Sequence, residues 1–365
     1  MTVTTRLRHD LGRAAVLLAG ALLLTACVGG GASPAPTPSA PGAAGPSAAP
    51  SGCTATVTTE DEAARVLAVA VAGSTVCATG DGLRDADLVV RGSGTQDRPV
   101  VLTGEGATPV RSITVTADHV VVQGFAAVGG QGIALSGTGL TVRGNRVEKA
   151  DLDGISCEDI CDDAVVEDNT VVGTDGSGIL VMGDRIMVRR NSVSGSVRRK
   201  ASDADGIRFF GRDVQIRENT VFDIKADGYP PGTEPHTDCF QTFDDNRPPT
   251  VGAVLADNVC RNVDAQCLIA TADEAGDRGE VGRSHGIRFT GNQCEVEGSQ
   301  AVFTRWFPGV TVQGNTFSGP GLSSAAVFTE SSTNGQFRGN TVPDGVRPFD
   351  VDGSSRQGFS SDRPD

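Results

Sequence analysis

The chain has 365 residues, with 45 Asp and Glu against 31 Lys and Arg and a formal net charge of −14 at pH 7. That balance argues against nucleic acid or anionic membrane as a general partner, while leaving room for an anionic substrate at a locally basic site. Glycine is abundant at 48 residues and aromatics make up only 4%; little in the pattern reads as helix.

At the N-terminus, Arg6, Arg8 and Arg13 precede the apolar run "AAVLLAGALLLTA", which is too short to span a membrane as a mature helix. The run ends in "LLTAC", which resembles the lipobox of bacterial lipoproteins. The resemblance implies a signal peptide over 1–26, cleavage before Cys27, and a lipid on its sulfur. The protein would then be exported and held on the outer face of the bacterial cell membrane. Residues 27–52 are rich in Pro, Ala, Ser and Gly, cannot bury apolar surface, and are expected to form a disordered tether.

The folded domain is expected over 53–350, with a cap over about 53–84. "EDEAARVLAVAVAG", residues 60–73, reads as an amphipathic helix closing one end. Beyond it, alternating apolar runs end in asparagine: "LTVRGNRV", "AVVEDNTV", "IMVRRNSV", "VQIRENTV", "AVLADNVC", "IRFTGNQC", "VTVQGNTF" and "GQFRGNTV". The asparagines are 145, 169, 191, 219, 258, 292, 315 and 340, with Phe125 in that place one repeat earlier. A second repeat falls between them, including "LDGISC", "GSGILV", "ADGIRF", "TDCFQT" and "AQCLIA". A repeat of roughly 22 residues cannot bury its apolar face alone, whereas stacked repeats can. The pattern resembles the right-handed parallel β-helix of the pectate-lyase-like superfamily over most of residues 85–350. The fold class is therefore all-β, a solenoid, with the asparagines forming a side-chain amide ladder. Leucine is too sparse for the competing leucine-rich solenoid. Residues 351–365 read as a disordered tail.

Apart from Cys27 there are eight cysteines, an even number that in an exported chain points to disulfides. Cys260 and Cys294 each follow a ladder asparagine by two residues, and Cys239 and Cys267 each precede the apolar residue of the second repeat. Equal positions in adjacent coils lie about 4.8 Å apart, which suggests bridges Cys260–Cys294 and Cys239–Cys267. Cys157 and Cys161 would close a small loop, and Cys53 and Cys77 would clamp the cap. Zinc is the competing use, but the spacings match no common zinc motif.

Most coils are of even length. Excess residues cluster in "GSVRRKASDA", "DIKADGYPPGTEP", "DDNRPPT" and "ADEAGDRGEVGRS". Stacking places these turns on both sides of one strip of the second strand, and long loops on a rigid scaffold bound binding sites. "HTDCFQTF" lies at the centre. If Ile155, Ile179, Ile207, Phe240, Leu268 and Val302 face inward, then Ser156, Leu180, Arg208, Gln241, Ile269 and Phe303 face out. Phe210 and Phe243, extended by Trp306, would make an apolar platform for sugar rings, with Arg305 and Lys200 as cations near it.

Ahead of that strand, Asp205 and Asp238 would stack about one strand spacing apart, a pair able to act on a glycosidic bond. His236 would be the acid or base near neutral pH, with Arg208 or Lys200 as an alternative base. Calcium held by Asp203, Asp205 and Asp238 is the other use of those carboxylates. Many relatives in the superfamily cleave or epimerise acidic polysaccharides. The resemblance thus implies a lipid-anchored, monomeric polysaccharide lyase or glycoside hydrolase acting on an acidic chain by β-elimination or hydrolysis, in a groove over coils four to six. A cell-surface protein that binds glycan in the same groove without catalysis is the alternative.

Overall fold

The computed structural model describes residues 52–159, 161–197, 203–226, 229–230 and 232–363. The expected signal peptide, Cys27, the tether up to residue 51 and Lys200 lie outside the described residues.

The chain winds as a parallel β-solenoid. One strand from each coil builds an 11-stranded sheet, from Asp87–Val90 to Arg347–Val351, and the other strands build a 20-stranded sheet. In the latter, pairs such as Thr141–Arg143 and Arg146–Glu148 flank each ladder asparagine. The residue before the asparagine turns the corner in the left-handed region. It is a glycine in four coils (Gly144, Gly291, Gly314 and Gly339, φ 60–68°), but Asp168, Arg190, Glu218 and Asp257 adopt φ of 53–57° in the other four.

All eight asparagines are buried, none more than 3% exposed. All but the last, Asn340, are bonded to the asparagine of the next coil. Asn169 Nδ2 donates to Asn191 Oδ1 at 3.0 Å and to Val142 O at 2.9 Å, and Asn169 N–H donates to the same Asn191 oxygen at 3.0 Å. The pattern repeats through Asn219, Asn258, Asn292, Asn315 and Asn340. The ladder starts where Phe125 N–H donates to Asn145 Oδ1, at 3.1 Å. Inside, Val, Ile, Leu and Phe columns such as Ile155, Ile179 and Ile207 are fully buried and in register across coils.

The capping helix α1 spans Glu60–Leu67, shorter than the 60–73 expected. Thr59 caps it, and Ala63 and Leu67 face the core. Beyond it Val69 and Val71 are exposed at 75% and 66%, so the apolar pattern outruns the helix. The tail expected from 351 is instead ordered through residue 363: Val351 ends a strand, and Ser360–Ser361 pairs with Gln336 and Phe337. Phe359 meets Phe328 edge-on and Phe349 at a tilt, so one apolar side chain holds a segment whose composition is otherwise polar.

Disulfides join Cys53 to Cys77 and Cys157 to Cys161, as expected. The other four pair differently. Cys239 joins Cys260 and Cys267 joins Cys294, with Cα separations of 6.1 and 5.9 Å. The register behind the expected pairing is correct, because Cys260 and Cys294 are partners in neighbouring strands. In-register parallel strands, however, keep Cβ atoms about 4.8 Å apart with parallel vectors, whereas a disulfide wants Cβ atoms about 3.8 Å apart and converging. The inward sulfurs converge across the narrow interior, from one sheet to the other. Each of these bridges therefore closes a single coil, and these are the two coils carrying "DDNRPPT" and "ADEAGDRGEVGRS".

Removing one amide leaves the partner donors of the preceding coil buried and unpaired, at about 1–3 kcal/mol each. Asn219→Ala strands both Asn191 donors. It is expected to lower unfolding free energy by about 3 kcal/mol or more in a urea titration, whereas an exposed substitution such as Asn246→Ala should change it by about 0.5 kcal/mol or less.

Candidate functional site

The outward column falls where the repeat put it. Arg208 pairs with Leu180 on one side and Gln241 on the other, and Gln241 with Ile269. The strands Ile207–Phe210 and Phe240–Thr242 carry the central residues. The "DG" step before the first of these is a packing requirement. A Cβ on Gly206 would lie 2.4 Å from Val221 Cγ1 and 2.7 Å from Cys239 O.

Asp205 and Asp238 are fully buried and belong to a second ladder. Asp205 Oδ1 accepts from Asp238 N–H at 3.0 Å, and Asp238 Oδ1 accepts from Gln266 N–H at 2.8 Å. Upstream, Asp153 Oδ1 accepts from Ser177 N–H at 2.6 Å. Asp205 Oδ2 is also gripped by Arg208, whose Nε lies at 2.7 Å. Arg208 Nη2 lies 2.6 Å from both Asp205 and Asp203. Burial alone would lower the Arg208 pKa, but Asp205 and Asp203 outweigh it and hold the guanidinium above its ordinary value. Arg208 is therefore a fixed cation and not a base. Its guanidinium also stands between the carboxylates expected to hold calcium, so Asp203, Asp205 and Asp238 do not fit that ion. Among the described residues, Cys239, Cys260 and Cys267 are the one cluster with metal-ligand spacing, and all three sulfurs are in disulfides.

Burial pushes Asp205 up to about 6, against the pull of Arg208 and of the Asp238 amide. Burial, and next the Asp205 charge, push Asp238 well above the usual carboxylate range. Asp238 Oδ2 has no hydrogen-bond partner. Its nearest basic atom is His236 Nδ1 at 3.9 Å, on a side chain that is 62% exposed. Gln241 is 5% exposed and its Oε1 is likewise unpartnered. His236 and Gln241 line a cleft of about 410 Å³ together with Asp203, Phe243, Asp244, Ile269, Thr271, Asp273, Phe303 and Arg305.

The open aromatic platform is not there. Phe210 is fully buried beside Leu180 and Met182. It meets Phe243 edge-on at 5.2 Å, with the Arg247 guanidinium 5.2 Å from one ring and 5.1 Å from the other. Trp306 is also turned away: its indole lies where a Cβ on Gly276 would be, packed under helix α2 (Asp273–Arg278). Arg305 reaches the cleft but is ion-paired to Asp273. Three residues that the repeat did not flag shape the wall. Asp244 takes the amides of Glu274 and Ala275 at the start of α2, at 3.1 and 2.5 Å. Arg247 covers the aromatic pair, and Asp273 holds Arg305. All three lie in the enlarged turns, where the repeat no longer assigns positions.

Residues 113–221 match a family model described as a right-handed β-helix region. No curated protein sequence matches the chain. Among solved structures the chain is similar to an alginate lyase from Paenibacillus sp., with 14% identity over 82% of this chain and 99% of that one and a TM-score of 0.49. It is also similar to the A-module of a mannuronan C-5 epimerase from Azotobacter vinelandii, with 12% identity over 84% and 94% and a TM-score of 0.43. A third is the catalytic unit of an α-1,3-glucanase from Streptomyces thermodiastaticus, with 16% identity over 87% and 70% and a TM-score of 0.43. The chain is a parallel β-helix whose structural neighbours include polysaccharide lyases, epimerases and glycoside hydrolases.

A carboxyl whose folded pKa is raised binds its proton more tightly in the folded state. Stability then falls as pH rises from about 4, the unfolded value, through about 6 for Asp205 and higher for Asp238. Asp238→Asn keeps an acceptor for Gln266 N–H and removes one titration. Urea midpoints measured from acid to neutral pH should fall less steeply in this variant, and at neutral pH it should be the more stable protein.

Proposed function

We propose that this protein is a carbohydrate-active enzyme that cleaves a uronate-containing polysaccharide by β-elimination, with His236 as the base. The carrying observation is the buried Asp238 carboxyl, whose Oδ2 has no hydrogen-bond partner and lies 3.9 Å from the exposed His236 imidazole in the cleft. With Asp238 ionised, a small side-chain adjustment lets Nδ1–H donate to Oδ2. That bond fixes the tautomer and presents an unprotonated Nε2 to the substrate. His236 then takes the C5 proton, and the leaving oxygen departs from C4 as the C4–C5 double bond forms. Asp238 acts through the imidazole and is a positioning residue. Arg305, 40% exposed, is the cation that a substrate carboxylate reaches by displacing Asp273. Gln241 offers its free amide oxygen to a sugar hydroxyl.

Hydrolysis by a carboxylate pair has less support. Asp205 is held by Arg208 and by a backbone amide, and Asp244 by the amides of α2. Export suits the four disulfides, and lipid attachment at Cys27 belongs to the same proposal. One observation favours a non-catalytic glycan-binding protein instead: Asp205 and Asp238 each serve the backbone of the next coil, a purely structural use.

The test follows unsaturated ends by ultraviolet absorbance, together with release of reducing ends, on pectic, alginate and glycosaminoglycan chains. His236→Ala should lower the rate about a hundredfold or more. Reducing ends without unsaturation would replace elimination by hydrolysis. Retention of a chain with no product would leave the binding protein.

A further inference from the structure

We propose that Asp273 sets the selectivity of the His236 cleft. Its carboxylate occupies Arg305 where a ligand carboxylate would sit. Small anions such as chloride are thereby kept out, and a uronate enters by exchange. The inference rests on the uronate reading above and names the residue that decides which anion that site accepts.

The carboxylates lining the cleft are Asp203, Asp244 and Asp273, and Arg305 is the one Arg or Lys among the described residues that line it. Two of the three carboxylates are committed to buried partners. Asp203 lies 2.6 Å from Arg208 Nη2, on a side chain that is 10% exposed. Withdrawing it would take a partner from a buried cation. Asp244 is buried and accepts from the Glu274 and Ala275 amides, which would be left unpaired without it. Asp273 differs. It pairs with Arg305, and both side chains are 40% exposed. When that pair opens, each group meets water, and exposed pairs of this kind are weak. This is the ion pair of the cleft that a ligand can exchange.

The backbone keeps the competing carboxylate at hand. Thr271 and Arg305 are partners in neighbouring strands, and Ala272 N–H donates to Arg305 O at 2.9 Å. Asp273 follows as the first residue of α2. That helix is seated on the Trp306 indole, where a Cβ on Gly276 would lie 2.3 Å from the ring. Opening the pair therefore needs only a turn of the Asp273 side chain, while its backbone stays in place. A carboxylate held in this way acts at high effective concentration.

The exchange discriminates between anions. A carboxylate offers a guanidinium two oxygens in matching geometry, which chloride lacks, so dissolved chloride does not dislodge Asp273. A uronate brings the same two oxygens. It adds ring hydroxyls for Gln241 Oε1, which has no other partner. The chain carries its own reporter of the event: Trp306 is its single tryptophan, and Arg305 Cζ lies 5.2 Å from that ring.

The test titrates tryptophan fluorescence with glucuronate, which has no glycosidic bond to cleave, in about 20 mM and about 200 mM sodium chloride. In the wild type one anion replaces another at a neutral pair, so the dissociation constant should change less than about twofold between the two salts. Asp273→Asn should bind about fivefold tighter at low salt, as expected when the competitor in an exposed pair is removed. It should lose that gain at high salt, where chloride reaches the uncovered Arg305. Asp273→Glu keeps a competing carboxylate and should behave as the wild type, which a role confined to holding α2 would not require. Arg305→Gln should bind no glucuronate. No saturation or no gain in Asp273→Asn at low salt, a gain that survives high salt, or the same gain in Asp273→Glu overturns the inference. The expected titrations without cleavage of any polymer would fail only the catalytic reading. His236-dependent cleavage with Asp273→Asn titrating like the wild type would fail only the role of Asp273.

Discussion

The amide ladder is the constraint on which the other features depend. A stack of short strands, each unable to bury its apolar face alone, can slip by a residue or tilt between coils. Slipping by one residue would turn every core side chain outward. The buried asparagines forbid it, because from Asn169 onward each one's oxygen takes both a main-chain and a side-chain donor from the coil before it. With register fixed in this way, residues tens of positions apart in sequence become neighbours in a column. Arg208 and Gln241 are such a pair.

The acidic residues of the site grow out of the same device. Asp153, Asp205 and Asp238 repeat the asparagine's trick on a different corner, each giving one oxygen to the amide of the next coil. Asp153 and Asp205 leave the rest of their chemistry to packing and to Arg208. Asp238 keeps a second oxygen that is buried without a hydrogen-bond partner and faces an imidazole. Two residues before Asp153, Asp205 and Asp238 stand Asp151, Asp203 and His236, so the Asp238 coil is the one that sets an imidazole beside this ladder. Two disulfides brace that coil and the next, closing loops of 21 and 27 residues around the enlarged turns. Those turns cost chain entropy, and cross-links offset it by limiting the unfolded ensemble.

Periodicity made the coils, the inward and outward columns and the ladder legible, because strand alternation and a buried amide leave marks at fixed spacing. What it could not reach was decided by side-chain direction and by three-dimensional convergence. The cysteine register was right and its pairing was not, since register says which Cα atoms are close but not which sulfurs face one another. The aromatic platform failed for a similar reason. Phe210 and Phe243 are placed correctly, yet Arg247 from a turn of irregular length lies over them. Asp244 as the cap of α2, and Trp306 beneath it, likewise depend on a loop whose path no repeat dictates. The calcium reading failed on one cation: Arg208 stood in the outward column of the sequence, but nothing in the spacing showed its guanidinium reaching back between two carboxylates.

The most direct measurement is a crystal structure of the His236→Ala protein with a bound oligomer of its retained polymer. Expected is a saccharide chain running parallel to the solenoid axis on the 11-stranded sheet. One ring should meet Gln241 in the space vacated by His236. A chain lying on the 20-stranded sheet, or crossing the 11-stranded sheet away from Gln241, would contradict a groove set by the outward column.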